Sequence, residues 1–283
     1  MTLIAHLTDL HFGAEDHAVV SALAEELTGD PPDLVAVSGD LTMRARRHEF
    51  RAARAFLDGL GAPVLAVPGN HDITPFALIE RFLDPYGRWR QEVAAETEPI
   101  WHNGHVAVAG LNTARRYGQS LDWSRGRVTR KRLTGLAERF AAMPAGLVRI
   151  VVAHHPLVPP EGGPKVKLVG GAERAVMALT QLGVRLVLAG HLHRGYARFA
   201  SAAGDSPLIV QGATSTSVRL RGEPNAYNRI RIGADARPVI SIRVWDGRAW
   251  TTRTRETGVA EAPAGTVQTR ELGLHGPADR SRH

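Results

Sequence analysis

Six short runs of β-branched and aliphatic residues, at 3–7, 34–37, 64–67, 106–111, 148–153 and 184–188, each end within three residues of an Asp, Asn or His. Apolar runs of this length, bounded by Gly and Pro, are expected to be buried strands. Between them apolar residues return at helical spacing: Phe50, Ala53, Phe56, Leu57 and Leu60 within 49–60, and Leu133, Leu136, Phe140 and Met143 within 129–143. Gly61 and Pro144 stop these two helices. Strands alternating with helices predict βαβ units and a largely parallel sheet, an α/β fold whose carboxyl edge gathers the loops after each strand.

After residue 196 the pattern changes to strands without helices, at 208–211, 228–232 and 239–244, which predicts a second, antiparallel sheet. Residues 1–256 are expected to form one domain. Residues 257–283 are poor in large apolar side chains and are expected to be a flexible C-terminal tail. The chain has no Cys, so any metal site must use nitrogen and oxygen donors. No uncharged apolar stretch reaches the roughly 18 residues of a membrane helix, and the first residues read as a strand, not a signal peptide. A cytoplasmic protein is expected. The net charge of +7 suits a phosphorylated partner, but the Arg residues form no long tail or aromatic-interleaved stripe, so nucleic acid is not indicated.

The polar residues at the strand ends carry the chemistry. Asp9 and His11 follow the first strand, Asp40 the second, Asn70 and His71 the third, His154 and His155 the fifth, and His191 and His193 the sixth. Singly each is ordinary: a strand-end His is commonly hydrogen-bonded structure, Gly39-Asp40 fits a turn, and Asn70 fits a helix cap. Converging on one sheet edge, they would need a compensating positive charge, such as a cation.

The blocks Asp9-Leu10-His11, Gly39-Asp40, Gly69-Asn70-His71-Asp72, His154-His155-Pro156 and Gly190-His191-Leu192-His193 resemble, in order, those of the calcineurin-like metallophosphoesterases. The His-His-Pro block is most similar to the class III cyclic-nucleotide and glycerophosphodiester phosphodiesterases. The resemblance implies a four-layer α-β-β-α sandwich of two mixed sheets flanked by helices. It implies two divalent metal ions, with Mn or Fe ahead of Zn: Asp9, His11 and His193 on one, Asn70, His154 and His191 on the other, Asp40 bridging. His154 is preferred to His155 because the family's ligand stands two residues before the proline. His71 would protonate the leaving group; Asp72 is either its orienting partner or a turn-capping residue. Protein phosphatases of the superfamily carry an Asp three residues after the bridging Asp, where this chain has Met43.

Arg44 and Arg47, with Arg46 between them, follow Asp40 closely and are substrate candidates, as are His155 and Asn112; solvated helix surface is the alternative for the Arg residues. Phe82, Tyr86 and Trp89 either cover a leaving group or pack on the sheet. The expected activity is hydrolysis of a small phosphodiester, a cyclic nucleotide or a glycerophosphodiester. The alternatives are a pyrophosphohydrolase of nucleotide or lipid-linked diphosphates, and a non-catalytic scaffold of the same fold.

Overall fold

A computed structural model describes residues 1–116, 124–161, 166–201, 205–253 and 257–258. In chain order the elements are β1 (Thr2–Leu7), α1 (His17–Gly29), β2 (Leu34–Val37), α2 (Arg47–Gly59), β3 (Val64–Ala66), α3 (Leu78–Leu83), α4 (Gly87–Glu92), β4 (Ile100–His102), β5 (Val106–Leu111), α5 (Arg130–Ala141), β6 (Val148–Ala153), α6 (Ala172–Gln181), β7 (Val184–Ala189), β8 (Tyr196–Phe199), β9 (Leu208–Gln211), β10 (Ala226–Ile232), β11 (Pro238–Trp245), β12 (Trp250–Thr252) and β13 (Thr257–Gly258). All six expected strands and both expected helices form, with ends shifted by a residue or two.

The strands make two mixed sheets. One runs β12-β11-β10-β1-β2-β3, with β13 beside β11; the other runs β4-β5-β6-β7-β9-β8. Within them β1-β2-β3 and β5-β6-β7-β9 are parallel. Among the described residues the strands after 196 form no separate antiparallel sheet. β8 and β9 complete the second sheet, while β10 returns antiparallel beside β1, pairing Ile4 with Ile230, and β11 and β12 follow it outward. The reason is burial: Ile230, Ile232, Ile240, Ile242 and Val244 share one apolar layer with Ile4, Leu34, Val108, Ile150 and Leu186. Packed alone, these strands would leave that face wet. The first residues of the expected tail, Thr257–Gly258, pair with Val239 and Ile240; the rest of it lies outside the described residues.

Alternation along each strand supplies the other layers. Ala5, Leu7, Val35 and Val37 face outward onto α1, α2 and α4 through Leu23, Leu27, Phe50 and Trp89. Ala107, Leu111, Val151 and Val187 do the same for α5 and α6 through Leu136, Phe140 and Leu179. The result is an α-β-β-α sandwich. α1, not singled out in the sequence, starts at Asp16, whose carboxylate accepts from the Ala18 and Val19 N–H groups, and it buries Val19, Leu23 and Leu27 at four-residue spacing. No helix among the described residues is long and apolar enough to cross a membrane.

Candidate metal centre

The carboxyl ends of β1, β2 and β3 meet those of β6 and β7 across the gap between the sheets. Backbone bonds tie these ends together: Asp9 N–H donates to the Gly39 carbonyl, His11 N–H to Asp40, and Gly190 N–H to His154. Asp9, His11, Asp40, His191 and His193 all adopt positive φ, between 50° and 78°. Such backbone is unfavourable for residues other than Gly and persists where the surroundings enforce it. Part of that enforcement comes from a buried hydroxyl run: Thr214 Oγ1 donates to the Asp9 carbonyl at 2.6 Å and Thr216 Oγ1 to the Leu10 carbonyl at 2.8 Å. Close approach also requires glycines. A Cβ on Gly69 would strike the Asp40 carboxylate, and one on Gly190 would strike Thr8.

The side chains then converge. His11 Nε2 stands 3.1 Å from His193 Nε2, and Asp9 Oδ1 lies 3.2 Å from His193 Nε2 and 3.7 Å from His11 Nε2. Asp40 Oδ2 lies 3.2 Å from His154 Nε2 and 3.8 Å from His11 Nε2, so this carboxylate faces both groups. Asn70 Oδ1 is 3.2 Å from His154 Nε2, and the His191 ring meets the His154 ring at 5.2 Å between centroids. Two donors each about 2.1 Å from one ion stand about 3.0 Å apart at a right angle and about 3.4 Å apart at a tetrahedral angle. The shortest separations here match that.

Backbone carbonyls fix the imidazole tautomers. Nδ1 of His11 faces the Thr42 carbonyl at 3.3 Å, Nδ1 of His154 that of Ser38 at 2.7 Å, and Nδ1 of His193 that of Arg219 at 2.9 Å. A carbonyl only accepts, so each Nδ1 carries a hydrogen and each Nε2 points inward. His11 and His193 therefore turn their Nε2 atoms toward each other; burial works against protonating His193, but Asp9 overcomes it and raises that pKa. Asp9 Oδ1 is buried beside them. Such a cluster is unfavourable until a cation enters it, so the donor set fits a metal.

The electrostatics agree. Burial holds His11 and His191 down near a pKa of about 4, with Asp40 pulling the other way, so both imidazoles are neutral donors at pH 7. Burial likewise works against His154, but the Asp40 carboxylate overcomes it and raises that pKa to about 9. Asp40 is itself held well below the usual carboxylate range, against its burial, by His154 and His71. The centre demands positive charge and takes a proton where no other cation is present.

His71 lies at the edge of this cluster, its ring edge-on to His11 at 4.8 Å, with Nδ1 at 2.7 Å from the Met43 carbonyl and its N–H donating to Asp40 Oδ1. Asp72 does not orient it. Its two oxygens accept from the N–H groups of Leu41, Thr42 and Gly69 and from Thr42 Oγ1, clamping the Asp40 loop to the Asn70 loop. The alternative reading of Asp72, as a structural cap, is the one the geometry supports. Burial, then the Asp40 charge, push its pKa up to about 6.

Three substrate candidates are displaced. His155 is buried with Nδ1 bonded to Thr113 Oγ1 at 2.7 Å and Nε2 to the Ser124 carbonyl at 2.8 Å, so neither nitrogen is open to substrate. Its ring atoms come within 4.8 Å of those of His154 and His191, but Asn70 offers the donor there that His155 has committed elsewhere. Asn112 is buried, its Oδ1 accepting from Ala114 N–H, and does not reach a rim. Arg47 begins α2 and turns away to Glu92 of α4 at 3.1 Å. Arg44 stays exposed above the Phe76 ring at 5.5 Å, beside Met43. Of the aromatics, Trp89 is buried against Phe50 and Tyr86 donates to the Ala114 carbonyl, so both are packing residues, while Phe82 remains partly exposed. The sequence reading missed the hydroxyl run 214–217, signalled by four consecutive Ser and Thr residues, and the carbonyls that set the tautomers, which have no side-chain signature.

Comparisons with known proteins agree with this geometry. The family model described as calcineurin-like phosphoesterase matches residues 2–195. Glycerophosphodiester phosphodiesterase GpdQ of Enterobacter lignolyticus is 36% identical over 81 residues, 25% of this chain and 29% of that protein. A protein of Synechococcus sp. named "Probable cyclic nucleotide phosphodiesterase" is 27% identical over 216 residues, 69% of this chain and 75% of its own length. A dimetal phosphatase of Danio rerio shares the fold at a TM-score of 0.63 and 14% identity, covering 89% of this chain and 98% of its own. The family match spans both sheets' strand-end motifs, from Asp9 to His193, and the chain belongs to the calcineurin-like phosphoesterase family.

Proposed function

We propose that this protein is a dinuclear-metal phosphodiesterase acting on a small phosphodiester. Asp9, His11 and His193 would hold one divalent cation and Asn70, His154 and His191 the other, with Asp40 shared. The observation that carries this is the convergence of His11 Nε2, His193 Nε2 and Asp9 Oδ1 in one buried cluster beside Asp40 and His154. When bound, two such ions lower the pKa of a shared water and offset charge on a phosphoryl oxygen.

The chain's own groups do the rest. The carbonyls of Thr42, Ser38 and Arg219 hold the three imidazoles in the ligating tautomer and restrict their rotation. The Met43 carbonyl accepts from His71 Nδ1, which leaves Nε2 as the atom that can pass a proton to a departing alkoxide. Both sequence relatives carry phosphodiesterase names, which supports a diester over a monoester. So does Met43, which leaves His71 without the acidic partner that the resemblance attributes to protein phosphatases.

The test is hydrolysis of bis-p-nitrophenyl phosphate and of p-nitrophenyl phosphate, with Mn²⁺ and with chelator. Metal-dependent turnover favouring the diester is expected. Preference for the monoester would overturn the diesterase reading, and chelator-insensitive turnover would overturn the metal mechanism.

A further inference from the structure

The mouth of the centre carries positive charge that no carboxylate among the described residues pairs with. Met43 and Arg44 border one side, with Met43 fixed by His71 and the Arg44 guanidinium lying over Phe76, which follows the Asn70–Asp72 loop. Residues 217–221 border the other. There the Arg219 carbonyl accepts from His193, and the Arg219 guanidinium crosses to the Met43 sulfur at 3.6 Å. Arg221 is exposed two residues on.

The acids of this region are committed elsewhere. Glu49 accepts from the Arg44 and Arg46 N–H groups at the head of α2, Glu223 from Gly195 N–H beside Arg194, and Asp72 from the loop amides. Among the described residues no carboxylate pairs with Arg44, Arg219 or Arg221. Elsewhere on the surface Arg51, Arg54, Arg88, Arg229 and Arg243 each have one. An acid at position 43 would lie against Arg219; Met43 leaves that guanidinium available.

Resting on the diesterase reading, we infer that Arg219 and Arg221, facing Arg44 across the mouth, bind a second anionic group of the substrate, so that the preferred substrate is a phosphodiester bearing a further phosphate or carboxylate. A guanidinium fork matches either anion with two parallel hydrogen bonds, and sites at the mouth of a cleft keep part of that strength. Each hydrogen bond to a charged group is worth about tenfold or more in affinity.

The test uses the full chain loaded with Mn²⁺ and two substrates sharing one scissile bond: thymidine 5′-(p-nitrophenyl phosphate), and the same compound with a 3′-phosphate. The parent should favour the 3′-phosphorylated diester in kcat/KM, mainly through KM. Arg221→Ala should erase about tenfold of that preference, Arg221→Lys should keep part of it, and turnover of the unphosphorylated diester should change little in both. Equal turnover of both substrates by the parent, or equal losses on both in the variants, would overturn the inference. Calorimetric binding of thymidine 3′,5′-bisphosphate against thymidine 5′-monophosphate gives an independent reading. A preference for the bisphosphate that Arg221→Ala removes supports the inference even where neither diester is hydrolysed, a result that would count against the diesterase reading alone. No preference in binding overturns the anion site itself.

Discussion

Gly69→Ala tests how closely the two loops of the centre must approach. A Cβ built on Gly69 falls 2.5 Å from the Asp40 backbone nitrogen, where real Cβ atoms do not come nearer than 3.0 Å, and strikes Asp40 Oδ1 as well. The backbone must therefore move by at least about half an ångström, and the Gly69 N–H is tethered to Asp72 while it does so. Overpacking of this kind costs about 1–3 kcal/mol, or roughly 2–12 °C in Tm for a domain of this size. The larger effect is local. Asp40 Oδ1 is the acceptor for the His71 N–H, and rotating it away turns Oδ2 from its place between His154 and His11. A displacement of about 1 Å at a reacting centre can lower turnover on the order of 100-fold. The assay is Mn²⁺ titration by calorimetry, with thermal unfolding and diester turnover on the same preparation. Gly59→Ala is the control: it sits at the end of α2 with nothing within 4 Å of its Cβ, and should leave all three unchanged or slightly raise Tm. A Gly69→Ala protein that binds two metal ions with parental affinity would refute the close approach, and with it the placement of Asp40 between both groups.

Three further outcomes follow from the geometry. His71→Ala should keep both metal ions by elemental analysis while diester turnover falls roughly 100-fold or more; loss of metal would make His71 a ligand. Arg47→Ala should leave kcat/KM unchanged and shift stability by no more than about 1 kcal/mol, because Arg47 is half-exposed and its partner Glu92 on α4 keeps Arg51 as a second partner; a large KM increase would return Arg47 to the substrate site. In the metal-free chain, His154 has a pKa raised from 6.5 to about 9, burial opposing and Asp40 prevailing. Its stabilising contribution is thus complete below about pH 6.5 and fades as pH rises through about 9. Loading the centre must expel that proton, so metal affinity should climb with pH up to about 9. Calorimetry in buffers of different ionisation enthalpy reads the proton release directly, and its absence at pH 7 would contradict a protonated His154 beside Asp40 in the metal-free centre.

The strands and their polar ends were legible in the sequence because periodicity and composition are local. The six apolar runs became β1, β2, β3, β5, β6 and β7, and each polar residue stayed at the carboxyl end where it was read. The fate of β10 and β11 was not legible: alternation marks a strand but does not name its neighbour, and only the shared burial of Ile230 with Ile4 selects β1. His154 and His155 show the same limit. Adjacent in sequence, they point apart, one to Ser38 and Asp40, the other to Thr113 and Ser124, and only the three-dimensional partners tell ligand from support. Arg47 failed as a rim candidate because the few residues after Asp40 turn into α2, whose first side chain points along its outer face. Arg219 escaped notice for the opposite reason, lying 26 residues beyond the His193 that it contacts.

The most direct measurement is anomalous diffraction from crystals of the full chain grown with excess Mn²⁺. Two peaks should appear in one pocket, one among Asp9, His11 and His193, the other among Asn70, His154 and His191, with Asp40 touching both. A single peak, or a pocket in which those side chains stay without metal at saturating Mn²⁺, would contradict the two-ion centre.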